Sequence, residues 1–215
     1  MEQVLKNQAA GIVMVTSAGA KEGKTTVAAN LGVVMAQAGK KVLLVDANLR
    51  APLLHDFFAL ENSRGLADLL LKNDVPDVVR SAGINGLWLV TGGSVPPNPS
   101  ELLGSEAMQI FLKRIRMLCD IVLLDTPPVF AAADAAVLAQ LADGVLLVVK
   151  SGISTVDQVT MAKHHLTMVG ANILGVVLND VKMGNSKYLY WEQNNKKLSN
   201  AAIAQVAVAN DAGKG

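Results

Sequence analysis

GIVMVTSAGAKEGKTTVAANLG, residues 11–32, holds the strongest structural signal in this 215-residue chain. Its first six residues form an apolar, β-rich run, and residues 24–39 form an alanine-rich helical pattern that Gly39 is placed to end. The loop between them matches the phosphate-binding pattern G-x-x-x-x-G-K-[ST], except that Ala18 replaces the first glycine. The strand–loop–helix order predicts that this loop still binds a nucleotide, provided that the φ angle of Ala18 is negative.

Five more apolar, β-rich runs follow, at residues 41–46, 87–92, 120–126, 144–150 and 173–179. They are continuous rather than alternating, which is typical of strands that are covered on both faces. Helical patterns lie between them, at 100–118, with Ser100 as the predicted N-cap, and at 154–170. This alternation predicts an α/β fold of three layers, a doubly wound and mostly parallel sheet with helices on both faces, as in the P-loop NTPases.

Composition narrows the cellular setting and the class of partner. Hydrophobic residues make up 51% of the chain and charged residues 17%, but no apolar run approaches the roughly 20 residues of a membrane-spanning helix. Residues 1–10 lack the apolar core of a secretory signal, and the single cysteine, Cys119, fits a reducing compartment. A net charge of +1 provides no basic field for nucleic acid. We therefore expect a cytoplasmic protein without a membrane span or a nucleic-acid partner.

The loop residues are predicted to hold the phosphates through their backbone N–H groups, helped by the field of the following helix N-terminus. Lys24 would reach the β- and γ-phosphates, and the Thr25 hydroxyl would ligate Mg²⁺. The complete set of predicted nucleotide contacts in the loop is Gly19, Ala20, Lys21, Glu22, Gly23, Lys24, Thr25 and Thr26.

Two predicted strands end in an aspartate, at Asp46 and Asp125. Ligands of doubly wound sheets gather at the carboxyl ends of the strands, so both carboxylates are expected beside the phosphates. One would hold Mg²⁺, and the other could accept the proton of an attacking hydroxyl. The alternative is that either aspartate only caps the following turn. Arg50, shortly after the second strand, is a candidate phosphate contact.

The strand and helix patterns decay after residue 183. We therefore predict a P-loop ATPase or kinase domain at residues 1–183 and a mobile C-terminal tail at 184–215. The tail contains both tyrosines of the chain, Tyr188 and Tyr190.

Taken together, these segments resemble the bacterial tyrosine kinases of capsule and exopolysaccharide synthesis, whose P-loop is related to that of the MinD and ParA ATPases. The similar segments occur in the family's order, at 17–32, 42–58, 95–103, 120–129, 142–149 and 175–181. The segment VPPNPSELL (95–103) discriminates best, because MinD- and ParA-like ATPases generally lack it.

The resemblance implies a function and a role for each candidate residue. The protein would be an ATP- and Mg²⁺-dependent tyrosine autokinase that regulates polysaccharide synthesis or export. Asp125 would be the Walker B aspartate, and Asp46 the catalytic carboxylate and a second metal ligand, with Arg50 as its companion. Asn179 would contact the adenine. Tyr188 and Tyr190 would accept phosphate from neighbouring subunits.

The resemblance also implies partners. The kinases of this family are switched on by the cytoplasmic end of a transmembrane activator, here a separate protein, which would recruit the kinase to the inner face of the plasma membrane. Phosphorylation between subunits implies a homo-oligomer.

Two other functions stay open at this stage. One is a switch ATPase similar to MinD or ParA, in which water replaces the tyrosine. The other is a non-catalytic, nucleotide-binding regulator of an export complex. The second depends on two departures from the kinase pattern, Asn48 at a usual aspartate and Lys21 at a usual glycine.

Overall fold

The computed structural model describes residues 11–72 and 78–181. Seven strands form one sheet in the order β3-β4-β2-β5-β1-β6-β7. Every pairing is parallel except that of β3 with β4. The strands are β1 Gly11–Ser17, β2 Val42–Asp46, β3 Val79–Ser81, β4 Leu87–Val90, β5 Ile121–Asp125, β6 Gly144–Lys150 and β7 Ile173–Asn179.

Seven helices in the described residues cover the two faces of this sheet. One apolar cluster packs α1 and α2 against one face, and a second packs α3 to α7 against the other. The helices are α1 Lys24–Gln37, α2 Leu54–Phe57, α3 Leu66–Lys72, α4 Pro99–Leu103, α5 Glu106–Ile115, α6 Asp134–Leu141 and α7 Val156–Met168. The predicted three-layer, mostly parallel α/β fold is confirmed.

Three of the continuous apolar runs form the buried centre of the sheet, because helices cover both of its faces. The run at 173–179 is an exception, since it forms the edge strand β7 and leaves Val176 and Leu178 more than half exposed. Every residue of β1, β2 and β5 is buried. Their register brings the carboxyl ends of the three strands together, with Asp46 beside Asp125 and Asp125 beside Val15. The loop after β1 therefore lies next to both acidic strand ends.

The helix predicted at 100–118 is instead two helices, α4 and α5. The break falls at Gly104 and Ser105, where the Ser105 hydroxyl accepts a hydrogen bond from the Met108 amide and caps α5. The prediction of Ser100 as an N-cap was also wrong. Asn98 is the N-cap residue of α4, Pro99 is the first helical residue, and the Ser100 hydroxyl bonds to Asp134 instead. Proline suits the first helical position because an N–H there would have no acceptor within the helix, so nothing is lost when proline lacks it.

The predicted tail and its two tyrosines lie outside the described residues, so the boundary at residue 183 stays a prediction. Within 11–72 and 78–181, no helix combines the length and hydropathy required to cross a bilayer.

Candidate nucleotide-binding and catalytic site

The loop between β1 and α1 tolerates Ala18 at its first position. Ala18 is buried in the apolar cluster on the α3–α7 face, and its φ is not in the left-handed region. The condition set by the sequence is therefore met. A methyl group at this position faces the protein interior and leaves the phosphate side of the loop unchanged.

Gly23, by contrast, is required by the backbone and by a neighbour. Its φ is +95°, a conformation that residues with a Cβ rarely adopt. A Cβ there would overlap the side-chain amide of Asn179 on β7. That amide donates a hydrogen bond of 3.0 Å to the Glu22 carbonyl oxygen. The last strand of the sheet thus packs directly on the loop.

Lys21 is also in the left-handed region, with φ at 60°. This conformation costs a non-glycine residue about 1–2 kcal/mol, which explains why a glycine is common in related loops. The Lys21 side chain is exposed and lines the mouth of the cleft described below. Lys21 therefore places a positive charge at the opening of the cleft, and its left-handed backbone conformation is strained.

Glu22 fixes the loop from its buried side. One carboxylate oxygen accepts a hydrogen bond from the Gly19 amide at 3.0 Å, and the other accepts one from the Ser154 hydroxyl at 2.5 Å. Ser154 in turn accepts a hydrogen bond from the Lys150 amide at the end of β6. The loop is thereby joined to the turn before α7. Glu22 is only 3% exposed, so its side chain stabilises the conformation of the loop and is not itself open to the cleft.

The open side of the loop faces the first turn of α1. No side chain of the described residues caps that helix, so its first N–H groups are available to bind an anion. Lys24 is buried, and burial lowers its pKa, while the charges of Asp125 and Glu22 oppose this shift. The site therefore combines uncapped helix N–H groups with a sequestered ammonium group, which is the chemistry that phosphate requires.

Asp125 is buried at the end of β5 and has an unusual environment. Neither carboxylate oxygen receives a hydrogen bond of good geometry from any residue within 11–72 or 78–181. Its pKa is raised to about 7, first by burial and then by the charge of Asp46; the nearby Thr25 hydroxyl and Lys24 ammonium oppose this rise. A buried carboxylate whose two oxygens receive no hydrogen bond of good geometry is suited to bind a cation.

Asp46 lies directly opposite Asp125, on β2, but its oxygens are occupied. One accepts hydrogen bonds of 2.9 Å from the Leu53 and Leu54 amides, and the other accepts one of 3.3 Å from the Asn48 amide. Burial raises the pKa of Asp46 to about 6, against the effect of these three bonds. Asp46 thus organises the segment that follows β2 in addition to lying at the site.

Arg50, on the same segment, reaches the site but is held by other groups. Its guanidinium forms a two-pronged ion pair with Asp134 at the start of α6, with distances of 2.8 and 3.1 Å, and also bonds to Ser100. Asn48 uses its side-chain amide to donate to the Ala51 carbonyl oxygen at 2.9 Å.

An open cleft of about 680 Å³ lies against the phosphate loop, the first turn of α1 and Arg50. Most of the predicted loop residues contribute to its wall, together with an apolar edge and the ion pair between Lys150 and Asp180. The predicted residues Asp46 and Asp125 are buried and are not among the residues that line it. The lining residues that matter here are Ala20, Lys21, Gly23, Lys24, Thr25, Thr26, Asn48, Arg50, Leu53, Phe57, Lys150, Asn179 and Asp180. The volume and the mixed lining are typical of a site for a small molecule.

The residues present fit a magnesium ion. No group of three or more histidine, cysteine, aspartate or glutamate side chains within the described ranges could hold a metal alone. Mg²⁺ does not need one, because it usually combines one or two protein oxygens with water and substrate phosphates. The Thr25 hydroxyl and the Asp125 carboxylate, which lie near each other, provide such a pair.

Several contacts of the site were not predicted. Ser154 meets Glu22 across 132 residues of sequence, and Asp134 meets Arg50 across 84. Lys150 and Asp180 are brought together by the pairing of β6 with β7. The only usable signals were that Lys150 ends an apolar run and that Asp134 interrupts an alanine-rich one.

A phosphate-binding loop beside two acidic strand ends defines a P-loop nucleotide-binding protein. Residues 13–208 match the CobQ/CobB/MinD/ParA nucleotide binding domain family. The chain is 44% identical to the tyrosine-protein kinase YwqD of Bacillus subtilis over 181 residues, which cover 83% of this chain and 76% of YwqD. It is 39% identical to the tyrosine-protein kinase Etk of Escherichia coli K12, but spans only 25% of the length of that protein. The chain belongs to this nucleotide-binding family and, within it, to the bacterial tyrosine-protein kinases.

Among solved structures, this chain is more similar to a tyrosine kinase domain than to a MinD ATPase. The kinase domain of E. coli Etk superimposes with a TM-score of 0.80 at 36% identity, covering 87% of this chain and 74% of that domain. The cell division ATPase MinD of Pyrococcus furiosus gives a TM-score of 0.67 at 27% identity, covering 78% of this chain and 71% of that one. The kinase is the more similar of the two in both sequence and fold.

Proposed function

We propose that this protein is an ATP-dependent protein-tyrosine autokinase that transfers the γ-phosphate of ATP to tyrosines of its own C-terminal tail and so regulates capsular or exopolysaccharide synthesis or export. The observation that carries the proposal is the buried carboxylate of Asp125, which lies near Lys24 and Thr25 and receives no hydrogen bond of good geometry from the described residues. A nucleotide-binding site of this kind holds a metal ion beside the phosphates, and that ion offsets negative charge during phosphoryl transfer.

The loop residues Gly19 to Thr26 bind the phosphates of ATP in this proposal. Lys24 offsets the charge on the β- and γ-phosphates, and the uncapped N-terminus of α1 adds N–H donors. Thr25 and Asp125 hold Mg²⁺, with Asp46 close by as a further acidic group. When bound, the metal offsets the negative charge that the phosphoryl group carries during transfer.

Asp46 is the proposed catalytic carboxylate. A tyrosine hydroxyl has a pKa near ~10, so a carboxylate that orients the hydroxyl and finally accepts its proton assists the attack. With a pKa of about 6, Asp46 is ionised at neutral pH and able to accept. Arg50, on the segment that Asp46 holds, contributes a positive charge to the lining of the cleft.

Asn179 is the proposed contact of the adenine. It lines the cleft from β7, on the side away from Arg50 in the sheet order. One of its amide hydrogens is used by the Glu22 carbonyl oxygen, which leaves the amide oxygen for the base.

The proposed acceptors are Tyr188 and Tyr190, on the tail at 184–215. Phosphorylation takes place between subunits of a homo-oligomer, and a separate transmembrane activator recruits the cytoplasmic kinase to the inner face of the plasma membrane and switches it on. The support for these partners is the resemblance to kinases of capsule systems and the membership of the family of YwqD and Etk.

The first test is peptide-resolved mass spectrometry of the protein after incubation with Mg-ATP. Wild type is compared with Lys24→Met, and with Lys40→Met as a matched control at an exposed position beyond the end of α1. Phosphate on Tyr188 or Tyr190 in wild type and in the control, but not in Lys24→Met, supports the proposal. ATP hydrolysis without phosphotyrosine, even with the activator's cytoplasmic end added, favours the switch ATPase, and tight binding without turnover favours the regulator.

A mixing experiment tests transfer between subunits. The Lys24→Met chain keeps both tyrosines but cannot donate, and the Tyr188→Phe, Tyr190→Phe chain can donate but cannot accept. Phosphate on the Lys24→Met chain after mixing supports the proposed oligomeric reaction. Its absence, with active wild type in parallel, would mean that each chain phosphorylates only itself.

A further inference from the structure

The guanidinium of Arg50 is held by side chains from two other elements. Its Nε donates to Asp134 Oδ2 at 2.8 Å, and its Nη2 donates to Asp134 Oδ1 at 3.1 Å and to the Ser100 Oγ at 3.2 Å. The Ser100 hydroxyl itself donates to Asp134 Oδ1. The three residues, which we term the Arg50 clamp, come from the segment after β2, from α4 and from α6.

The Arg50 clamp fixes the orientation of the Arg50 guanidinium and also neutralises the charge of the buried Asp134 carboxylate. The Asp134 side chain is completely buried, whereas that of Arg50 is 43% exposed. A buried carboxylate is stable only with a partner, and Asp134 has a second favourable contact with the first turn of α6. Two parallel hydrogen bonds to one carboxylate fix the plane of a guanidinium, which a lysine at the same position would not do.

One edge of the guanidinium remains available. Nη1 of Arg50 makes no hydrogen bond to any residue that the structure describes, while Arg50 lines the cleft together with Lys24 and Thr25. A fixed donor with a full positive charge at this place is suited to a phosphoryl group, which gains negative charge on its oxygens during transfer.

We propose that Ser100 and Asp134 are positioning residues for phosphoryl transfer, holding the Arg50 guanidinium at the rim of the cleft so that its Nη1 donates to the transferring group. The inference rests on the proposed function. It also gives the segment VPPNPSELL a role in the reaction, because Pro99 begins α4 and the next residue, Ser100, completes the clamp.

A double-mutant cycle tests the clamp. Ser100→Ala and Arg50→Ala are made singly and together, and the rate at which saturating Mg-ATP loses its γ-phosphate, to tyrosine or to water, is measured in a single turnover. Ser100→Ala removes one hydrogen bond to a charged group and should slow the reaction about tenfold. In the Arg50→Ala background the same change should have no further effect, because there is no guanidinium left to position.

Two further measurements separate positioning from stability. Nucleotide affinity, followed with a fluorescent ATP analogue, should change by less than about twofold in Ser100→Ala, since the interaction acts on transfer rather than on binding. Ser105→Ala is the matched control, because it removes the N-cap of the neighbouring helix α5 without touching Arg50. It should lower the melting temperature and leave the rate at the wild-type value.

The outcomes distinguish this inference from the proposed function. An equal rate loss from Ser100→Ala with and without Arg50, or an equal loss in Ser105→Ala, overturns the clamp even if tyrosine is phosphorylated. Phosphate released only to water overturns the tyrosine kinase, while the cycle still reports on the clamp. A wild-type chain that binds nucleotide but never transfers phosphate overturns both.

Discussion

Asp46 and Asp125 occupy equivalent places on adjacent parallel strands, yet their carboxylates meet opposite surroundings. Asp46 accepts three backbone hydrogen bonds, whereas Asp125 accepts none of good geometry from the described residues. The Asp46 carboxylate therefore stabilises the fold, whereas the Asp125 carboxylate is available to bind a ligand such as a metal ion. The same sequence signal, an apolar strand that ends in aspartate, therefore produces two different kinds of residue.

The largest effect is expected from Asp125→Asn. The change removes the open metal ligand, so phosphotyrosine formation should fall by about 10²-fold or more. Asp157→Asn, an exposed aspartate in the first turn of α7, is the control and should keep wild-type activity. Activity within a few-fold of wild type in Asp125→Asn would show that Asp46 or another group binds the metal.

Stability should move in opposite directions in the two aspartate variants. Without nucleotide or metal at pH 8, Asp125→Asn removes a buried charge whose raised pKa means that ionisation in the folded state costs free energy, and its melting temperature should rise by about 2–6 °C. Asp46→Asn loses acceptors for the Leu53, Leu54 and Asn48 amides, which should cost about 1–3 kcal/mol and lower the melting temperature. Differential scanning fluorimetry measures both shifts. Shifts of the same sign would contradict the distinction between the two carboxylates.

The pH dependence of stability follows from the raised pKa values of both groups, about 6 for Asp46 and about 7 for Asp125. Between about pH 4 and pH 7 the folded state binds more protons than the unfolded state. The free energy of unfolding of the ligand-free protein should therefore fall as the pH rises through this window. The measurement is urea unfolding at pH 5 and at pH 8.

Two comparisons sharpen the pH experiment. The decrease should be smaller in Asp125→Asn, which lacks the more strongly shifted group. Saturating Mg²⁺ and nucleotide should weaken or reverse it, because a metal ligand must be deprotonated and the metal binds more tightly at higher pH. A wild-type decrease that Asp125→Asn retains in full would assign it to other groups.

The smallest effect is expected from Asn48→Asp, which adds a carboxylate on the Asp46 side of the site. The Asn48 amide donates to the Ala51 carbonyl oxygen, and an aspartate loses that bond, so the protein should be destabilised by about 1 kcal/mol. Position 48 is partly exposed, so the added charge is screened by solvent, and Mg²⁺ affinity with bound nucleotide should change by less than about threefold. Isothermal titration measures it, and a tenfold gain would make position 48 a metal ligand.

The buried sheet could be predicted from the sequence because its strands are continuous apolar runs, and all six predicted strands are present. Strand β3 could not be predicted from the sequence, because its residues Val79, Arg80 and Ser81 form a short edge strand with partly exposed side chains and no apolar pattern. The division of the 100–118 helix had a signal in Gly104 and Ser105, but helical apolar spacing continues across it and hides the break.

The site was predictable to the extent that it is local. The loop and the two strand ends are continuous motifs, so the structure brings Lys24, Thr25, Asp46 and Asp125 to one edge of the sheet as expected. The different surroundings of the two aspartates depend on how residues 48–54 turn back, which no short pattern encodes. The Arg50 clamp joins three segments, and only the folded chain places them together.

The bond between Asn179 and Glu22 has a consequence for how the protein is made. Translation delivers residue 22 to the ribosome exit 157 residues before its partner on β7. A nascent chain therefore displays the whole phosphate-loop sequence long before the strand that packs on it exists. The mature geometry of the phosphate loop therefore requires β7, and we expect a chain that ends before residue 179 to lack it.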